Sequence, residues 1–141
     1  MQSRRVHLTG ASGSGTTTLG QALAAALASA HHDTDDYFWV PTNAAVSAKA
    51  RRCGSSSPDA RGLLATTHWV LSGSLTGWGD PLVPLFDLVV FLIAPAEFRV
   101  QRLRQRETRR FGADAVAPGA WRYRATEEFI AWASDYDHGR E

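Results

Sequence analysis

The sequence predicts an α/β layered domain on a mostly parallel sheet, and three observations carry that prediction. β-prone runs at residues 4–9, 31–36, 68–71 and 88–93 are set apart by stretches of helical character. The run at 88–93 is continuously apolar, as suits a strand covered on both faces. A Gly/Ser-rich turn joins the first run to the first helical stretch, and strand–loop–helix junctions of this kind readily bind anions. With 141 residues, one domain over 1–141 with a real hydrophobic core is expected.

The elements follow in order. Residues 4–9 alternate and run into the Gly/Ser turn, giving a first strand. Residues 19–28 are rich in Ala and Leu on one face, giving a helix. Residues 31–36 form a short strand with an acidic end. Tyr37, Phe38 and Trp39 follow, with Phe38 expected in the core, and Pro41 breaks the segment. Residues 42–59 are small and polar, the least structured stretch, and 60–65 are read as one short helix. His68 opens a third strand that ends at Ser72-Gly73. Gly77, Gly79 and Pro81 mark a loop before the run at 88–93. Pro95 suits the first turn of the next helix, with Glu97 at the positive end of its dipole. Residues 109–119 read as a loop. Residues 120–134 read as a final helix with Trp121, Phe129, Ile130 and Trp132 as its packing residues.

Composition narrows the function classes. A formal net charge of +1 provides no global field for nucleic acid or membrane. Cys53 is the only cysteine, so no internal disulfide can form. The longest apolar run is too short to span a bilayer, and no signal peptide is evident. A cytoplasmic location is expected. The five histidines lack metal-ligand spacing, and none is assigned a catalytic role.

Gly10-Ala11-Ser12-Gly13-Ser14-Gly15-Thr16-Thr17 has the spacing G-x-x-x-x-G plus two positions, with Thr18 next in the helix. Glycines are needed where a loop must turn tightly and aim several N–H groups at one anion. The helix that follows adds partial positive charge. Downstream, Asp33, Asp35 and Asp36 sit at the end of the second strand. In a parallel sheet that end shares a rim with the first loop, where ligands bind. Carboxylates there can hold Mg²⁺ or take a proton from a hydroxyl.

The loop, the Asp33-Thr34-Asp35-Asp36-Tyr37 segment and the arginines near Arg106 together resemble the P-loop kinases of small molecules, among them shikimate, gluconate, adenylate and uridine kinases. The chain also resembles bacterial adenylate-kinase-like ATPases with a threonine in the loop. The resemblance implies a three-layer P-loop NTPase domain, with ATP (or GTP) and Mg²⁺ as cofactors and a small-molecule acceptor. It implies that Gly10, Gly13, Ser14, Gly15, Thr16, Thr17 and Thr18 bind the nucleotide. Thr17 and Asp35 would hold the metal, and Asp33 would orient or deprotonate the acceptor. Asp36, Trp78 and Asp80 would face the substrate. Arg106 and Arg109 would be lid arginines on the transferred phosphate, a role that can be worth on the order of 10³-fold in rate.

The chain departs from this pattern at three points. Thr16 stands where the motif has its lysine, and Lys49 is the only lysine in the chain. No aspartate ends an apolar strand in the Walker B manner. The usual fifth strand, which follows the lid in the superfamily, is expected to be missing. Two alternatives to a kinase therefore stay open: a catalytically degenerate nucleotide-binding protein, and a slow NTPase. Arg99, Arg102 and Arg106 are spaced to share one helix face. Read as an RNA-binding stripe they would need interleaved aromatic residues, which are lacking.

Overall fold

The computed structural model describes residues 4–35, 65–75 and 79–139. Tyr37, Phe38, Trp39 and the stretches at 42–59 and 60–64 lie outside them. The strands are β1 (Arg4–Gly10), β2 (Ala30–Asp33), β3 (His68–Ser72) and β4 (Leu88–Leu92). The helices are α1 (Thr16–Ala26), α2 (Ala96–Phe111), α3 (Ala113–Val116) and α4 (Tyr123–Ser134). Short 3₁₀ helices cover Asp80–Leu85 and Asp135–His138. The chain divides into two compact units. One comprises the described residues of Met1–Gly10 and Thr16–Phe91, the other those of Ala11–Gly15 and Leu92–Glu141.

The first unit is a mixed α/β layer around a four-stranded sheet in the order β2-β3-β1-β4. β1 runs parallel to β3 with Val6 opposite Val70, and β2 runs parallel to β3 with His31 opposite Val70. The expected parallel α/β sheet is therefore present. The central strands are the buried ones: Val6, His7 and Leu8 on β1, and Trp69, Val70, Leu71 and Ser72 on β3. On one side, Val6, Leu8 and Val70 pack with Ala24 and Leu23 of α1 and with Leu27 just beyond it. Another cluster joins Trp69 and Leu71 to Leu75, Leu82, Leu85 and Phe86. Gly20 lets α1 approach closely: a Cβ there would lie 2.7 Å from His31 Nε2.

The apolar run at 88–93 behaves differently from expectation. It does form β4, but β4 is at the sheet margin, and Leu88, Val89 and Phe91 are each more than half exposed. An unbroken apolar run fits a central strand, yet composition cannot say which place in the sheet a strand takes. No described strand lies on its outer side.

The second unit is helical. Arg99, Leu103 and Glu107 form the buried face of α2, four residues apart. Leu103 packs with Ile130 and Ala133 of α4, flanked by Val100 and Phe129. Residues 109–119 are less loop-like than expected, because α2 continues to Phe111 and α3 follows. Trp121 precedes the last helix and Trp132 projects from it; at 71% and 53% exposure they sit at the rim of this core. Trp121 meets Phe111 edge-on, and Trp132 stacks on Phe129. Among the described residues, no helix is long and apolar enough to cross a membrane.

Candidate functional site

The segment from Gly10 to Thr18 leaves β1, turns through 11–15 and enters α1 at Thr16. Gly13 has φ +82° and Gly15 φ +99°, the left-handed region that side chains disfavour. The turn is closed by the Ser14 N–H donating to the Ala11 carbonyl at 3.0 Å. Thr16, Thr17 and Thr18 then occupy the first turn of α1, where N–H groups lack helical partners and no acidic residue competes for them. Ser14 is buried, and its Oγ has no hydrogen-bond partner among the described residues.

In the first unit, the Thr17 hydroxyl donates to Asp33 Oδ2 at 2.7 Å. The other oxygen of that carboxylate accepts the Asp35 backbone N–H at 3.0 Å. Thr17 is therefore paired with Asp33 rather than with Asp35, the residue grouped with it on the metal from sequence. The backbone around Asp33 is tied to the sheet. The Thr34 N–H donates to the Ser72 carbonyl, and the Gly73 N–H donates to the Leu8 carbonyl. Gly73, at φ +117°, packs its α-carbon against the buried Thr34 side chain, so any larger residue there would collide with it. The Ser72 hydroxyl lies 2.8 Å from His31 Nε2. Asp80 is exposed at the start of its 3₁₀ helix. Asp36 and Trp78 lie outside the described residues.

In the second unit the arginines separate into distinct roles. Arg99 is 1% exposed: Nε donates to the Ala94 carbonyl, Nη1 to the Ala133 carbonyl, and Nη2 to Asp137 at 2.6 Å. It joins α2 to the chain beyond α4 and is part of the architecture. Arg106 lies over the Phe129 ring at 5.7 Å with Nε 4.0 Å from Glu107. Arg109 lines a shallow cleft with Arg104, Gln105 and Thr108. Neither of these two expected lid arginines has a bond to the 11–15 loop. Arg102 does: its Nη1 donates to the Gly13 carbonyl at 3.2 Å and to the Ser14 carbonyl at 3.4 Å. Sequence reasoning placed Arg102 in the row but gave it no role, because spacing along one helix cannot reveal which arginine a distant loop will meet. The same helix backs the loop, since a Cβ on Gly13 would lie 2.8 Å from the Arg99 carbonyl oxygen.

Three titratable groups are displaced for structural reasons. Burial pushes the His7 imidazole down, partly offset by its bond to the Leu71 carbonyl. Glu127 is held low by its two hydrogen bonds from Arg104, and the same bonds raise Arg104. His7 belongs to the buried middle of β1, whereas Arg104 and Glu127 form an exposed pair between α2 and α4. As for metals, the described residues contain no group of three or more His, Cys, Asp or Glu side chains that could hold an ion. The Thr17–Asp33 pair instead offers one hydroxyl and one carboxylate. Mg²⁺ usually takes only one or two protein carboxylates and keeps several waters, so this is the smallest set of hard-oxygen ligands from which it could be held.

These features define an α/β protein with a glycine turn leading into a helix and a hydroxyl–carboxylate pair beside the sheet. No family model matches the chain. The chain is 42% identical over 140 residues to a Bacillus subtilis (strain 168) protein, the uncharacterized protein YqaC, an alignment covering 96% of this chain and 74% of that one. The chain belongs to the same family as YqaC.

Proposed function

We propose that this chain is a P-loop protein that binds ATP or GTP and transfers the terminal phosphate to a small acceptor bearing a hydroxyl or phosphate group. The carrying observation is the loop itself: two glycines at positive φ run directly into the N-terminus of α1, whose second residue, Thr17, is bonded to Asp33. The strand order adds support. From β1 the chain moves to β2 and β3 on one side and returns to β4 on the other. Ligands of open α/β sheets bind at the carboxyl ends of strands where the order reverses in this way. The orphan Ser14 hydroxyl fits too, because an unpartnered buried hydroxyl costs about 1–3 kcal/mol, and a phosphate oxygen would offset that.

On this reading the loop amides and the α1 N-terminus hold the phosphates. Thr17 and Asp33 hold Mg²⁺, which when bound neutralises phosphate charge. Asp35 becomes the carboxylate that orients the acceptor. The protein contributes position and charge rather than covalent chemistry. The second reading, a nucleotide binder or slow NTPase, is favoured by Thr16 at the lysine position.

Titration calorimetry with ATP and GTP, with and without Mg²⁺, tests the site against a Gly15→Val variant checked for folding by circular dichroism. Binding by the natural chain and not by the variant is expected. No binding by the folded natural chain would refute the proposal. ATP consumption then separates the readings: a kinase requires an acceptor, an NTPase does not, and a binder consumes none.

A further inference from the structure

We infer that Arg102 is the positioning residue of the glycine loop, doing from α2 part of what a lysine in the loop would do from within. The inference rests on the phosphate-binding reading given above. It goes further by assigning a role to a residue outside the motif.

The argument starts from peptide geometry. A trans peptide is planar, so its C=O and N–H point in opposite directions. Arg102 Nη1 donates to the carbonyls of Gly13 and Ser14. The Ser14 carbonyl belongs to the same peptide unit as the Gly15 N–H. Holding that carbonyl on Arg102 aims the Gly15 N–H away from α2. The Gly13 carbonyl shares its peptide with the Ser14 N–H, which closes the turn on Ala11. One guanidinium thus sets two consecutive peptides, in a stretch where both flanking glycines would otherwise leave the backbone free.

The base of the clamp is firm. Arg102 is one turn along α2 from Arg99, and Arg99 is fixed by two carbonyls and Asp137. Gly13 packs directly on the Arg99 backbone. Arg102 is also permanently charged and uses only Nη1 on the loop, leaving a positive charge beside it. A loop with Thr16 in place of lysine has no such charge of its own.

The test compares Arg102→Ala, Arg102→Lys and Arg102→Gln with the natural chain and with Arg124→Ala. Amide NMR of the ligand-free protein follows Gly13 and Gly15, and calorimetry follows ATP and inorganic tripolyphosphate. Arg102→Ala should shift or broaden the Gly15 amide and weaken both ligands about tenfold or more. Arg102→Lys should recover part of the affinity, Arg102→Gln part of the amide signature, and Arg124→Ala, on an exposed arginine paired with Glu128, should change neither. Unchanged Gly15 signals and unchanged affinity in Arg102→Ala would overturn the inference. If the natural chain binds neither ligand, the phosphate reading falls. In that case the Gly15 amide in Arg102→Ala still decides whether Arg102 positions the loop.

Discussion

Replacing Gly13 with alanine should be among the most damaging single-methyl changes in the second unit, and its cost can be worked from two sources. The first is conformational. At φ +82° a Cβ meets the local backbone, a penalty of about 1–2 kcal/mol for a non-glycine residue. The second is packing. The added methyl would lie 2.8 Å from the Arg99 carbonyl oxygen and 3.1 Å from its Cα. Backbone cannot turn aside as a side chain can, and Arg99 is anchored at three points, so an overpacking cost of about 1–3 kcal/mol applies. The sum is about 2–5 kcal/mol. Gly119→Ala supplies the reference: its φ is also +82°, but nothing lies within 4 Å of the new methyl. Urea denaturation of both variants, followed by far-ultraviolet circular dichroism, separates the two contributions. Gly119→Ala should lose about 1–2 kcal/mol and Gly13→Ala clearly more. Equal losses would refute the packing of the loop on α2 and weaken the basis for the Arg102 clamp.

Other expected outcomes follow from the same geometry. Asp33→Asn keeps an acceptor for the Thr17 hydroxyl but removes the charge, so nucleotide should still bind without Mg²⁺ while the enhancement by Mg²⁺ disappears; calorimetry with and without the ion checks this, and an intact Mg²⁺ effect would exclude Asp33 from the metal. Asp137→Ala removes the carboxylate from the buried Arg99 and should cost about 2–3 kcal/mol in urea unfolding, below the range for fully buried pairs because Asp137 is 54% exposed. Glu127→Ala breaks the exposed pair with Arg104 and should cost about 1 kcal/mol or less. His7 gives a pH dependence of definite sign. Its folded value lies below the ordinary 6.5, so as pH falls the unfolded chain takes up the proton first. His7's contribution is full above about pH 6.5 and declines from there towards the lowered folded value, where it levels off. Thermal melts from pH 8 to 5 should show this fall, reduced in His7→Asn; an identical slope in the variant would remove His7 as its source.

Much of the frame was legible from local chemistry. Strand, glycine turn and helix at 4–26 could be read because positive-φ positions demand glycine and the Ala/Leu face has helical period. What was not legible depended on long-range pairing. The run at 88–93 looks central by composition, yet sheet order puts it at the margin. Arg99 looks like one of a row of surface cations, yet carbonyls from Ala94 and Ala133 take it into the core. Asp33 and Asp35 could not be told apart by sequence, since only the fold brings Thr17 to one of them. Arg102 was passed over for the same reason. Its significance lies in two carbonyls more than eighty residues away.

The margin of the sheet has a practical consequence for the protein in solution. Leu88, Val89 and Phe91 make β4 a water-exposed apolar border with no described strand beside it, and none of the usual deterrents (a lysine, a proline, a charge within the strand) interrupts Leu88–Leu92. A border of this kind is adhesive towards any extended backbone it meets, a second molecule included. With a near-neutral net charge to oppose association, this ribbon should contribute to it. Light scattering should rise with concentration and with sulfate, which strengthens apolar association, and should fall when Val89 is replaced by lysine.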